Sequence, residues 1–285
     1  MTDQTSQPAD RGVALITGAN TGIGLVTARE LARRGHHVFI ACRSPARAEN
    51  ALRELRAQVP DGRYELLALD LGDFDSVRSC VRQFEQRGLP LSLLINNAGV
   101  AGARGLTKSG FELGFGINHM GHFLLTQLLL PRLREGTPAR IVTVASKAHY
   151  AADGIDFEAV RRKTKTITGY REYTVSKLAN VLFNRELARR LDGTGIHSYA
   201  LHPGVVATEI WREIPWPFRS FMTRNMLTPE QGAATTLYCA LSEQAGRESG
   251  LYYDDCKPKQ PGAAAANDQL ASELWSRSEA WVNAG

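Results

Sequence analysis

Residues 13 to 24 read VALITGANTGIG, and the fold turns on this stretch. Val13 to Thr17 form a short run, apolar up to its closing threonine, of the kind that suits a strand buried on both faces. Gly18, Gly22 and Gly24 follow. Then GLVTARELARRG carries apolar residues at helical spacing and stops at Gly35. Glycines let the chain turn sharply and let its backbone approach a pyrophosphate closely. The amides and positive dipole end of the following helix would hold that anion. The spacing is G-x-x-x-G-x-G rather than the dinucleotide fingerprint G-x-G-x-x-G. A tight turn without a ligand would use the same residues. The place of the loop, after a first strand and before a helix, favours the ligand-binding reading.

Working outward, short apolar runs alternate with longer amphipathic ones. HVFIA is the next strand, residues 45 to 59 a helix, ELLAL a strand running to Asp70, and 73 to 87 a helix. LSLLIN leads into NAG, a helical region covers about 110 to 134, and RIVTVAS is a strand ending at Ser146. Residues 171 to 191 form a helix, IHSYALH a strand, 228 to 242 a helix and GLYY a last short strand. Apolar strands separated by helices predict an α/β fold: one doubly wound, Rossmann-type parallel sheet of seven strands with helices on both faces. The polar first 11 residues are expected to be disordered, and 12–285 to form a single domain.

Ligands in such sheets bind at the carboxyl ends of the strands. The residues there are the glycines after strand one, Arg43 after two, Asp70 after three, Asn96 to Gly99 after four, Ser146 at the end of five and His202 to Gly204 after six. All but Ala98 and Pro203 are polar or glycine. Strand two ends IACRS, without the acid that would bind a ribose 2′-hydroxyl. A guanidinium at Arg43 would instead fork onto a 2′-phosphate, with Ser44 as a second contact, which predicts NADP(H) over NAD(H). The alternative is a surface arginine.

Tyr173 and Lys177 lie four apart in YREYTVSKLAN, so a helix places them on one face. An exposed pair would use the same spacing. A free phenol has a pKa of about 10, and a neighbouring ammonium favours its ionised form, which suits proton exchange near neutral pH. Ser146, at a strand end, would donate a hydrogen bond where charge develops on a carbonyl oxygen.

TGANTGIG, NNAG at Asn96 to Gly99, Tyr173-x-x-x-Lys177 and PGVVAT at Pro203 to Thr208 resemble the short-chain dehydrogenase/reductase family, over about residues 11 to 256. ACR, INHMGHFLLT, VASKAHY, SKLANVLFNRELARRL and HPGV are similar to its retinol dehydrogenase-like branch. The resemblance implies an oxidoreductase that moves a hydride between NADP(H) and a lipophilic aldehyde or ketone, or the corresponding alcohol. It implies a catalytic tetrad of Asn118, Ser146, Tyr173 and Lys177, with Asn118 supporting a water that relays protons to Lys177. It implies cofactor contacts at Gly18, Asn20, Thr21, Gly22, Ile23, Gly24, Asp70, Leu71, Asn97, Ala98, Gly99, Tyr173, Lys177, Pro203, Gly204, Val205, Val206 and Thr208. Relatives often pair through the helices after strands four and five, which implies a homodimer. Two features depart from the pattern: the membrane-anchoring N-terminal helix of many vertebrate relatives is absent from these residues, and Ala145 stands where a serine usually precedes Ser146.

The substrate side is expected in EIWREIPWPFRSFMTRNML, a lid over about 208 to 228 with large apolar groups that favour a lipophilic substrate. Ser146, His149, Trp211, Trp216 and Phe221 are the candidate substrate residues. The same stretch would also suit a membrane surface.

Composition excludes other classes. The net charge of +5 is spread along 285 residues, with no stacking-aromatic motif, so no nucleic-acid partner is expected. Four scattered cysteines lack metal or redox spacing, no histidine pair stands at zinc-ligand spacing, and no metal is expected. No G-x-S-x-G elbow marks a serine hydrolase. With no apolar leader and no apolar run near the roughly 20 residues that span a bilayer, a cytoplasmic protein is expected. A non-catalytic NADP(H)-binding regulator or scaffold is the competing function, which loss of a tetrad member would favour.

Overall fold

The computed structural model describes residues 11–206 and 226–284. β1 (Val13–Thr17), β2 (His37–Cys42), β3 (Arg63–Ala68), β4 (Leu93–Asn96), β5 (Ala139–Val144), β6 (Ile196–His202) and β7 (Tyr252–Asp254) are parallel. Together with a two-residue strand, β8 (Lys257–Pro258), they form one sheet in the order β3-β2-β1-β4-β5-β6-β7-β8. β8 is antiparallel and exceeds the seven strands expected from the sequence. Asp255 and Cys256, with φ of 52° and 58°, make the tight hairpin that returns the chain onto β7. Two residues ending in proline carry too little pattern to read as a strand.

Among the described residues the α-helices are α1 (Gly22–Arg33), α2 (Pro45–Gln58), α3 (Phe74–Glu85), α4 (Leu113–Phe115), α5 (Gly121–Glu135), α6 (Tyr170–Arg190), α7 (Pro229–Leu241) and α8 (Asp268–Asn283). Between α4 and α5 the chain widens into a π turn, Gly116–Met120. β1 and β4 are buried at every position because helices cover both of their faces. One face holds Leu15, Leu94 and Ile141 against α3, α5, α6 and α8; the other holds Ile16, Ile95 and Val142 against α1, α2 and α7. β1 pairs with both β2 and β4, so the chain changes direction across the sheet there. The crevice of a doubly wound sheet opens at such a point, beyond the carboxyl ends of its strands.

Candidate active site

The glycine loop forms the wall of the crevice nearest β1. Gly18 has φ +68° and donates its amide to the Ala41 carbonyl at 2.8 Å. A β-carbon there would lie 2.9 Å from Ala98 Cα, and one at Gly24 would lie 2.6 Å from both Asn97 Nδ2 and the Gly18 carbonyl. These positions therefore need glycine. Asn97 Nδ2 donates to the Thr17 carbonyl at 2.8 Å, clamping the end of β4 to the loop. Thr21, the N-cap of α1, makes no side-chain cap bond, so the first-turn amides have no side-chain acceptor.

The cleft has a volume of about 1160 Å³. Of the cofactor contacts implied by the sequence, all that fall among the described residues line it: Gly18, Asn20, Thr21, Gly22, Ile23, Gly24, Arg43, Ser44, Asp70, Leu71, Asn97, Ala98, Gly99, Tyr173, Lys177, Pro203, Gly204, Val205 and Val206. Thr208, Trp211, Trp216, Phe221 and most of the expected lid lie outside the described residues. A glycine cradle too tight for β-carbons, uncapped helix amides and a long cleft fit a dinucleotide. At the far end Arg43 is exposed, and no carboxylate pairs with it among the described residues. Ser44 caps α2, accepting the Arg47 amide at 3.4 Å. Arg47 also lines the cleft. The sequence reading missed it, although its position one helical turn after Arg43 signals it.

The other end of the cleft holds the polar core. Ser146 follows β5 and caps a short 3₁₀ turn, Lys147–Ala151; its Oγ accepts the Ala148 amide at 3.1 Å. Ser146 and Tyr173 both line this end of the cleft, and the serine favours the ionised phenol. Lys177 is 2% exposed, donates from Nζ to the Val144 carbonyl at 2.8 Å and lies 5.7 Å from the centre of the Tyr173 ring. Burial governs both groups. It raises the Tyr173 phenol above its ordinary pKa, against the opposing pull of Ser146, and draws the Lys177 ammonium down to about 7. Burial thus shifts the phenol in the direction opposite to the one a neighbouring ammonium was expected to give.

Asn118 sits in the π turn and is fully buried. Its Oδ1 accepts the Val100 amide at 2.8 Å, and its Nδ2 donates to the Val100 carbonyl at 3.0 Å and Ser176 Oγ at 2.9 Å. Both amide protons are used. A β-carbon on Gly99 would stand 3.3 Å from Asn118 Oδ1 and 3.6 Å from Lys177 Nζ, so the two side chains share the floor below Gly99. His149, expected at the pocket entrance, is corrected. It is fully buried and outside the cleft lining, because its ring turns inward to the Ser146 carbonyl and the Gly262 amide. Val100, Ala101, Ala148, Tyr150, Ala151 and Tyr170 add to the surface of this end of the cleft. Sequence reasoning missed them because loops far apart in the chain supply them.

A family model described as short chain dehydrogenase matches residues 12–216. The chain belongs to the short-chain dehydrogenase family. Retinol dehydrogenase 12 from Mus musculus is 45% identical over 270 residues, covering 93% of this chain and 84% of that protein. Retinol dehydrogenase 11 from Homo sapiens is 42% identical over 269 residues, covering 92% and 83%. These relatives place this short-chain dehydrogenase in the retinol dehydrogenase-like branch. A crystal structure of an uncharacterized protein from Mycobacterium Paratuberculosis superposes with a TM-score of 0.76 at 35% identity, covering 96% of this chain and 94% of that one. A 3-ketoacyl-(acyl-carrier-protein) reductase from Brucella melitensis complexed with NADH gives 0.66 at 26%, covering 86% and 96%. The short-chain dehydrogenase described here is thus an oxidoreductase with a nicotinamide cofactor, and a non-catalytic role is not favoured.

Proposed function

We propose that this chain reduces a lipophilic aldehyde or ketone with NADPH, and oxidises the corresponding alcohol in reverse. The observation that carries the reading is that Ser146, Tyr173 and Lys177 line one cleft, with Lys177 buried on the same helix as Tyr173. The bound dinucleotide supplies the hydride at its nicotinamide. Ser146 Oγ accepts the Ala148 amide, and its single proton remains to be donated to a substrate oxygen. A phenol whose pKa is raised by burial keeps its proton at neutral pH, which suits Tyr173 to protonate a carbonyl oxygen. Asn118 holds the Val100 wall through its side chain.

Arg43 and Arg47 at the cleft rim, with no acid at the end of β2, support preference for the 2′-phosphate. Apolar cleft residues beside Ser146 and the names of the relatives support a lipophilic substrate. All four cysteines are free, which supports a reducing, cytoplasmic setting. Among the described residues no helix is long and apolar enough to cross a membrane.

The test is turnover of retinal, medium-chain aldehydes and steroids with NADPH and with NADH. Tyr173→Phe should lose about 10²-fold or more in kcat. Near-normal turnover by that variant would sink the mechanism. Arg43→Glu should cut the NADPH-to-NADH preference about tenfold or more, and an unchanged ratio would reject the cofactor assignment.

A further inference from the structure

Two of the buried imidazoles beside the tetrad bond its main chain, and the proton-transfer chemistry uses neither. His149 is three residues after Ser146. Its Nε2 accepts the Gly262 amide at 3.1 Å. A backbone amide only donates, so the ring proton resides on Nδ1, which donates to the Ser146 carbonyl at 2.6 Å. His122 is 1% exposed, four residues after Asn118. Its Nδ1 faces the Asn118 carbonyl at 3.0 Å, which only accepts, so Nδ1 again carries the proton. Nε2 then accepts the Thr17 hydroxyl at 2.8 Å. The lone pairs of Thr17 Oγ1 take the Asn97 and Ala98 amides at 3.0 and 2.9 Å. Burial lowers the pKa of both rings, His122 to about 4, so each is neutral at pH 7 with its tautomer dictated by backbone groups.

We propose that His149 and His122 are positioning residues for the reaction: each Nδ1–H fixes the main chain of one tetrad residue, while each Nε2 ties that residue to a distant segment. For Ser146 the segment is the C-terminal stretch at Gly262. For Asn118 it is Thr17 and, through it, the strand-four loop that lines the dinucleotide cleft. The inference rests on the reading of Ser146 and Asn118 given under the proposed function. Its physical basis is that Ser146 Oγ must meet a substrate oxygen, and a slip of about 1 Å in a reacting group costs about 10²-fold.

The two nitrogens of each ring separate by substitution. An asparagine amide reaches the place of Nδ1, and a glutamine amide that of Nε2. His149→Asn, His149→Gln, His122→Asn and His122→Gln would be compared for kcat with NADPH and retinal, for NADPH Kd by fluorescence titration without substrate, and for Tm. Both asparagine variants should keep kcat within about threefold, and both glutamine variants should lose about tenfold. His122→Asn, which drops the Thr17 bond, should weaken NADPH about fivefold, whereas His149→Asn should not. Losses of kcat that track Tm instead of the nitrogen retained would overturn the proposal. So would glutamine variants with wild-type kcat. Nitrogen-15 NMR of the histidine rings in the wild-type protein needs no variant to fold: both rings should be neutral with the proton on Nδ1, and an Nε2–H tautomer at either would refute it. Ser146→Ala separates the two levels. If that variant stays active, the reading of Ser146 itself fails; if it is dead while His149→Gln is normal, the positioning role alone fails.

Discussion

Lys177 shows how function is built at the expense of stability at a single residue. Its ammonium is buried on one carbonyl partner, without an ion pair among the described residues, and its pKa falls to about 7. In the unfolded chain the value is about 10.4. Between those two values the unfolded chain holds a proton that the folded one lacks, so this residue makes stability rise with pH, and below pH 7 its full cost is present. Lys177→Met should therefore raise Tm, by more at pH 6 than at pH 9, while turnover falls by about 10²-fold or more. Scanning fluorimetry at both pH values checks this, and a lowered Tm at pH 6 would contradict it. Gly24→Ala offers the opposite separation. An alanine inside an exposed helix gains about 1 kcal/mol over glycine, but here its β-carbon meets Asn97 and the Gly18 carbonyl. NADPH affinity should drop about tenfold or more. Gly88→Ala is the control: with φ +64° and no neighbour within 4 Å, it should cost about 1–2 kcal/mol of stability and leave Kd unchanged.

At the scale of elements, α8 is the piece the sequence reading did not assign. Its signals are present: Asn267 accepts the Leu270 amide as N-cap, and Leu270, Leu274, Trp275 and Trp281 recur at helical spacing. What they pack on is visible only in the fold. Trp275 stacks on Phe183 of α6 at 14° and meets Phe123 of α5 edge-on, and His119 Nε2 bonds Ser278 at 3.0 Å. α8 thus covers faces of the helices through which the resemblance implied a homodimer. Trp275→Ala should cost about 3–5 kcal/mol, measured by denaturant unfolding. A cost below about 1 kcal/mol would show that α8 is loosely held. The π turn at Gly116–Met120 was likewise read as plain helix, because one extra residue per turn leaves the apolar pattern almost intact.

For the whole molecule, cofactor binding and folding are linked. A ligand that binds only the folded chain at 100 times its Kd stabilises by about 2.7 kcal/mol. With Arg43 and Arg47 at the rim, NADPH should raise Tm more than NADH at equal concentration, and the gap should shrink with added salt because the rim is exposed. Thermal shifts without substrate measure this. Equal shifts for both nucleotides would argue against a 2′-phosphate site.

The order of strands and helices, the glycine loop and the Tyr173–Lys177 spacing were determined by sequence alone, because apolar periodicity and conformational freedom are local properties of the chain. So was the polar character of each strand end, from Gly18 to Gly204. Only the tertiary structure decided the balance of charge in the cleft and the duty of each histidine. Burial and hydrogen-bond partners come from residues far apart in sequence: Gly262 reaches back to His149, and Thr17 reaches forward to His122. Electrostatic cost depends on what surrounds a group rather than on its chain neighbours, so Lys177 reads as a full ammonium beside Tyr173 in the sequence and as a buried amine with its pKa drawn down to about 7 in the fold.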